Sequence, residues 1–310
     1  MKKDIYQLAI IGPTASGKSD LAIKIAQKID AYILSIDSLS IYKEIDIVSA
    51  KPSKEELNMV RHFGVDVLQA DEYFSVDIFI ELYQKVYAKC QADGKNLVIV
   101  GGTSFYLKSL LQGLSKLPNI DTQTKKSVQE QLKDLQKCHK LLSNVDGEYM
   151  QNISLNDSYR IEKALLIYKA SGKTPTEWFK LNPPQPIIEN LDVFNIEVDR
   201  AVLRERIAQR TQKMLELGLL DEVSFLEHKY SRLPNAMGAI GIVEVLEYFD
   251  AKVDVKTMFE NIATHTAQLA KRQATFNRTQ FEGITSAPLE DLEEIILNSY
   301  NLYAFDFYYP

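Results

Sequence analysis

Residues 12–19 read GPTASGKS, and no other stretch restricts the possible folds of this chain so strongly. The string fits G-x-x-x-x-G-K-S/T in full, with Gly12, Gly17, Lys18 and Ser19 at the fixed positions. Glycine at those points lets the backbone turn tightly enough for successive N–H groups to face one anion. A strand must deliver the chain to such a loop and a helix must leave from it, so that the helix N-terminus adds its partial positive charge. Both signals are present. Residues 6–11 form a short apolar run, β-branched at its end. After Gly17, Leu21, Ile25 and Ile29 recur at every fourth position, with Ala22 and Ala26 beside them and Lys24 and Lys28 elsewhere. The string is therefore a phosphate-binding P-loop. Gly12, Thr14, Ala15, Ser16, Gly17, Lys18 and Ser19 are its candidate contacts to a di- or triphosphate. Lys18 supplies a point charge, and Ser19 supplies a hydroxyl for Mg²⁺, the one cofactor expected.

Further apolar runs follow the same plan. One covers 32–36 and ends at Asp37-Ser38; another covers 96–100 and ends at Gly101-Gly102-Thr103; a third covers 193–198 and ends at Asp199. Strands alternating with helical patterns predict an α/β fold, a P-loop NTPase-like parallel sheet flanked by helices. In such sheets ligands sit beyond the carboxyl ends of the strands, which is where these polar residues fall. Residues 119–186 differ: they are polar, helical in pattern, and close on Asn182-Pro183-Pro184-Gln185-Pro186, a linker composition. The expected organisation is a first part of the core at 1–118, a helical insertion at 119–186, and completion of the core with C-terminal helices at 187–310. An aromatic tail at 300–309 reads as packing.

Bulk properties narrow the function. With 36 basic and 42 acidic residues the net charge is −6, which argues against non-specific nucleic-acid binding. Charge distribution says more. Residues 261–280 contain no acid but carry Lys271, Arg272 and Arg278, and Arg204, Arg206 and Arg210 lie on another helical stretch. Together they can form a basic face on an acidic protein, although such spacing also suits a solvated helix surface. Two cysteines and four histidines show no metal-ligand spacing and read as structural or surface residues. Reduced thiols and the lack of a secretory signal point to the cytoplasm. No run approaches the roughly 20 apolar residues of a membrane span. A P-loop does not name the reaction. Asp37 and Asp199 each stand where a Mg²⁺-holding carboxylate would be in a kinase or NTPase, and Asp37 also fits a helix N-cap.

The string SIDSLSIYKEIDIVSAKP at 35–52 carries D-S-x-x-x-Y-x-x-x-D-I-x-x-A-K-P, and VGGTSFYLKSLLQGL follows at 100–114. With LNDSYRIEKALLIYKASGKTPTEW at 155–178, RERIAQRTQKMLELGLLDEV at 204–223 and QLAKRQATFNRTQF at 268–281, the chain resembles the tRNA dimethylallyltransferase family over nearly its whole length. The resemblance implies transfer of a dimethylallyl group from dimethylallyl diphosphate to the exocyclic amine of the adenosine immediately 3′ of the anticodon. The P-loop would hold the donor's diphosphate. Asp37 matches the family's catalytic carboxylate and Thr103 its threonine near the departing oxygen, although Thr103 also suits a helix N-cap. The resemblance places tRNA contacts at Asp37, Ser38, Leu39 and Ser40, at Lys125, Arg160 and Lys163 in the insertion, and at Gln268, Lys271, Arg272 and Gln273. No self-complementary apolar stripe stands out, so the expectation is a monomer with no obligatory protein partner and no membrane association.

The chain departs from the family's pattern at Gly238, Ile242 and Val243, where polar or aromatic residues are usual, and at Ser154 and Leu155. A polar substrate contact is therefore expected to be missing near Gly238. Prenylation of a free adenine nucleotide and phosphoryl transfer by a P-loop kinase are the alternative reactions. The long insertion and the acid-free basic stretch argue against the first, since a nucleotide needs neither.

Overall fold

The computed structural model describes residues 5–308, so Tyr309 of the aromatic tail lies outside the described residues. Among the described residues, six strands form one sheet: β1 (Gln7–Ile11), β2 (Ala31–Ser35), β3 (His62–Phe63), β4 (Asn96–Gly101), β5 (Asp192–Glu197) and β6 (Thr285–Pro288). They lie in the order β3-β2-β4-β1-β5-β6, and every pairing is parallel. Central β1 pairs with β4 on one side and β5 on the other, with Ile10 opposite both Val100 and Phe194. Leu8, Ala9, Ile10 and Ile11 have no exposed surface, as expected of a central parallel strand buried on both faces. The two edge strands escaped the sequence pattern. β3 has only two residues, and β6 is a largely exposed Thr-Ser-Ala-Pro, its proline at the sheet edge where a missing donor is tolerated.

Topology fixes where a ligand can sit. From β1 the chain passes through α1 (Lys18–Lys28) and skips the neighbouring position to enter β2. After β4 it eventually crosses to the opposite side of β1 and forms β5. Connections thus diverge at the carboxyl end of β1, which opens a crevice there. The same part of the chain holds α2 (Lys54–Met59), α3 (Val76–Asp93) and the start of α4 (Ser104–Gln112).

The chain separates into two compact units, one of Met1–Lys108 with Asn190–Pro310, the other of Ser109–Glu189. The second contains α5 (Thr122–Gln131), α6 (Leu135–Val145), α7 (Gly147–Met150), α8 (Ser158–Ser171) and α9 (Pro175–Leu181). Leu142, Ile161 and Leu165 are fully buried in its core. Side chains of Asp121, Asp134, Asp146, Asp157 and Thr174 each accept a backbone N–H at a helix start, which explains five helices from a polar sequence. This unit begins ten residues before Asn119, because its entering and leaving segments are bonded to each other. The N–H groups of Ile187 and Ile188 donate to Leu110 O, and the Trp178 indole donates to Lys116 O at 2.8 Å. Trp178 is thereby a structural tie.

The first unit is completed by α10 (Arg200–Glu216), α11 (Leu219–Tyr230), a 3₁₀ turn at Asn235–Gly238, α12 (Ile242–Phe249), α13 (Val255–Gln280) and α14 (Leu289–Tyr308). Its second core joins these helices to the segment after β2: Ile41, Tyr42, Ile45 and Val48 pack with Met214, Leu219, Val223, Met237 and Ile242. Segment 37–52 is therefore anchored on the C-terminal helices and is not a free surface loop. Among the described residues, no helix is long and apolar enough to cross a membrane.

Candidate active site

The P-loop leaves β1 and enters α1 through two left-handed residues, Ala15 at φ 62° and Gly17 at φ 89°. Glycine relieves the second; at the first a Cβ is accommodated at a cost of about 1 kcal/mol. Left-handed turns of this kind aim consecutive N–H groups inward. Two side chains from far along the sequence hold the loop. Gln273 of α13 accepts from Thr14 N at 2.8 Å and donates to Gly102 O at 3.0 Å, so one amide bridges the P-loop and the V-G-G-T loop. Arg210 of α10 donates from Nη1 to Thr14 Oγ1 at 3.0 Å.

The glycines of V-G-G-T are there for close approach. A Cβ on Gly101 would lie 2.8 Å from Ile36 Cγ1 and 2.9 Å from its carbonyl carbon. A Cβ on Gly102 would lie 2.4 Å from Gln273 Nε2. The loops after β2 and β4 thus run side by side, joined by Ile36 N to Val100 O at 2.8 Å and Thr103 N to Ile36 O at 3.3 Å. Asp37 emerges between them. Its Oδ1 accepts from Leu39 N at 2.8 Å and Ser40 N at 3.1 Å. Oδ2 takes no hydrogen bond from any described residue. One oxygen orients the carboxylate and the other remains available.

Thr14, Lys18, Ser19, Ser40, Asp37 and Arg210 line one cavity of about 90 Å³. Ala22, Ile33, Val100 and Pro52 add an apolar portion, and Ser35, Ser49, Ala50, His62 and Gly101 complete the wall. Lys18 Nζ donates to Pro13 O at 3.1 Å. Burial pushes its ammonium down to about 8; Asp37 opposes that shift and Arg210 adds to it. Burial also lowers Arg210, against the pull of Asp37. Two cations held below their usual values in one cavity form a site prepared for an anion. Burial lowers His62 as well, despite its bond from Nδ1 to Val60 O at 2.8 Å. The imidazole is therefore neutral near pH 7, with Nε2 as a free acceptor.

Residues 40–280 match the IPP transferase family. The chain belongs to that family. The tRNA dimethylallyltransferase of Sulfurimonas denitrificans is 66% identical over 94% of this chain and 99% of its own length. The tRNA dimethylallyltransferase of Sulfurovum sp. is 57% identical over 96% and 99%. Among solved structures, the tRNA isopentenylpyrophosphate transferase of Bacillus halodurans superposes with a TM-score of 0.70 at 27% identity, covering 96% of each chain. A eukaryotic dimethylallyltransferase acting on tRNA gives 0.78 at 25% identity, over 87% of this chain and 69% of that one.

For this IPP transferase, the structure sorts the residues singled out from sequence. Asp37 and Lys18 share the cavity; Thr103 does not line it, although its N–H belongs to the adjoining loop pair. Asp199 is excluded as a second carboxylate of the site. Its Oδ1 caps α10 by accepting from Ala201 N and Val202 N, and it is absent from the cavity wall. Ser40 is buried and shares a hydrogen bond with Ser35 Oγ at 3.0 Å; Leu39 packs on the second core, and Ser38 is exposed. On α13, Gln268, Lys271 and Arg272 are exposed, whereas Gln273 turns inward to the two loops. In the second unit Lys125 and Arg160 are exposed, Arg160 paired with Asp157 at 3.1 Å, and Lys163 lies over the Tyr159 ring at 5.4 Å.

Two sequence expectations need correction. Arg210 is not part of a solvated face with Arg204 and Arg206: it points at the P-loop while they stay exposed. A signal existed, because Arg210 has buried residues at both −3 (Ile207) and +4 (Met214), while Arg204 and Arg206 each have only one such neighbour. His62 is neither structural filler nor surface, but lines the cavity from the two-residue strand β3. The segment around Gly238 lies elsewhere. Met237 and Ile242 are core residues, and a Cβ on Gly238 would meet nothing within 4 Å.

Proposed function

We propose that this chain is a tRNA dimethylallyltransferase, moving the dimethylallyl group of dimethylallyl diphosphate to the exocyclic amine of the adenosine immediately 3′ of the anticodon. The observation that carries the proposal is one cavity shared by the P-loop cations and the half-free Asp37 carboxylate. Family membership narrows the chemistry to isoprenoid transfer, and the names of the relatives supply tRNA as acceptor.

The chemistry follows from the charges. As the allylic C–O bond breaks, positive charge grows on carbon and negative charge on the leaving diphosphate. P-loop N–H groups, Lys18 and Arg210 face that oxygen and stabilise the negative charge as it develops. The adenine amine is a weak nucleophile, since its lone pair is delocalised into the ring. Asp37 Oδ2 accepts an amine proton, orienting the nitrogen toward the allylic carbon and removing the proton as the new C–N bond forms. Ala22, Ile33 and Val100 give the hydrocarbon chain an apolar surface. The target base leaves the anticodon loop to enter, at a cost of a few kcal/mol. Thr103, which the resemblance matches to a threonine near the departing oxygen, lies off the cavity wall and takes no step in this scheme. Ser38 and the exposed Gln268, Lys271 and Arg272 hold RNA in this scheme, together with Lys125, Arg160 and Lys163 of the second unit.

Mg²⁺ fits the donor set. Among the described residues no group of three or more His, Cys, Asp or Glu forms a metal cluster. Mg²⁺ needs none, because it takes most ligands from phosphate and water. The Ser19 hydroxyl on the cavity wall would hold it, and the ion would supply charge neutralisation for the diphosphate. Buried free Cys90 and Cys138 are consistent with a cytoplasmic enzyme, which we propose to work as a monomer.

The test is incubation of the protein with labelled dimethylallyl diphosphate, Mg²⁺ and an anticodon stem-loop, with AMP and ATP as competing acceptors. Label on the stem-loop adenosine supports the proposal. Label on the nucleotides alone, or none from folded protein, rejects it. Asp37→Ala should lower the transfer rate by about 10²- to 10⁴-fold with stem-loop affinity retained; a near wild-type rate would remove Asp37 as the base.

A further inference from the structure

Segment 37–52 begins at the catalytic Asp37 and ends at Ser49, Ala50 and Pro52, so both of its ends form cavity wall. Its far leg is shaped by a turn in which Ala50 N donates to Ile47 O at 3.0 Å and Lys51 N to Asp46 O at 3.1 Å. That turn contains an unfavourable backbone: Ala50 is left-handed at φ 47° without being glycine. Something outside must hold it. Three consecutive N–H groups, of Asp46, Ile47 and Val48, converge on the Glu222 carboxylate at 3.0, 2.8 and 2.9 Å. Glu222 Oε2 takes the first two and Oε1 the third. Glu222 belongs to α11, is half-buried, and does not line the cavity.

We propose that Glu222 is a positioning residue for the transfer reaction: its carboxylate fixes the turn that sets the wall Ser49–Ala50–Pro52 against the P-loop. This rests on the transferase reading above. Only a carboxylate suits the place. A glutamine amide at Glu222 would satisfy N–H groups with one oxygen and turn an NH₂ toward the remaining N–H, donor against donor. The P-loop is tied separately, by Gln273 and Arg210, so loosening the turn leaves the diphosphate cradle intact. A second tie from α11 provides a control: Lys229 Nζ meets Glu44 at 2.7 Å, on the same segment but farther from the wall.

The experiment compares wild type, Glu222→Gln and Lys229→Ala by stem-loop transfer kinetics, dimethylallyl diphosphate binding, melting temperature and hydrogen exchange. For Glu222→Gln we expect kcat to fall about 10- to 100-fold, as for a small misplacement of reacting groups. Donor Kd should stay within about twofold, melting should drop no further than in Lys229→Ala, and peptide 45–52 should exchange faster. Lys229→Ala should keep its kcat within about twofold. The proposal is overturned by unchanged exchange at 45–52, by a wild-type kcat in Glu222→Gln, or by kcat and donor affinity falling together in step with lost folded protein. If wild type itself transfers nothing, the transferase reading fails. Exchange at 45–52 needs no substrate and then judges the clamp alone, faster exchange in Glu222→Gln supporting it and unchanged exchange overturning it.

Discussion

Donor binding should weaken as pH rises through 8, and replacing Lys18 with arginine should remove that dependence. Burial pushes the Lys18 ammonium down to about 8, so the free protein loses this charge progressively as pH rises through that value. A bound diphosphate favours the charged form and restores the proton. Binding above pH 8 therefore takes up one proton, and observed Kd grows as one plus ten to the power of pH minus pKa. Between pH 7.5 and 9 that amounts to about an eightfold loss of affinity, or ~1.3 kcal/mol. The donor's phosphates are ionised throughout this window and contribute no slope. Lys18→Arg keeps its charge at every pH tested. Its affinity should be lower at pH 7.5, because a planar fork does not fit a place shaped for a point charge, but its profile should be flat. Isothermal titration of dimethylallyl diphosphate into wild type and variant at four pH values measures both. A flat wild-type profile would refute the buried, titrating Lys18. An equal slope in Lys18→Arg would assign the proton to another group.

Two further outcomes follow from the geometry. Gly102→Ala puts a methyl group 2.4 Å from Gln273 Nε2, so it should displace the same amide that Gln273→Ala removes. Each should weaken donor binding by about 1–3 kcal/mol, and the double variant should be no worse than either single one; additive losses in titration calorimetry would show that the amide does not couple the loops. Lys271→Ala with Arg272→Ala should lower the salt dependence of stem-loop binding by about 1.5 in log–log slope while sparing diphosphate binding. An unchanged slope in filter binding across a salt series would take these two exposed cations off the RNA.

How much could be read from sequence depends on how far apart the interacting residues lie. The P-loop was legible because its parts are contiguous: strand, glycines, Lys18 and helix lie within residues 7–28. Asp37 and the V-G-G-T loop were legible because parallel strands bring their carboxyl ends to one side whatever their order. Edge strands β3 and β6 were not, since two residues and a half-polar tetrad carry no periodicity. The other residues missed were Arg210, His62, Gln273 as a bridge, and Glu222. Thr14 is bonded to Gln273 across 259 positions and to Arg210 across 196, and Val48 to Glu222 across 174. Helical spacing says which side of α10, α11 or α13 is buried, but not which loop it meets.

Those distant ties share one pattern, and it changes how the C-terminal helices are understood. The three left-handed, non-glycine positions on the P-loop and segment 37–52, Ala15, Glu44 and Ala50, each lie within two residues of a backbone N–H held by a helical side chain. A left-handed alanine persists only where its surroundings over-determine it. Gln273 does this for the P-loop and Glu222 for the opposite wall, from α13 and α11 respectively. On α13, Gln273 follows directly after the exposed Lys271 and Arg272, so the helix whose cations we propose to meet RNA also grips the P-loop. Any shift of α13 on RNA binding would be transmitted through one amide to both Thr14 and Gly102. Acceptor occupancy and donor affinity are then expected to be coupled, and the coupling should vanish in Gln273→Ala. Titration of dimethylallyl diphosphate with and without an adenosine-lacking stem-loop measures it, and equal donor affinity in the two wild-type titrations would break this link between α13 and the cradle.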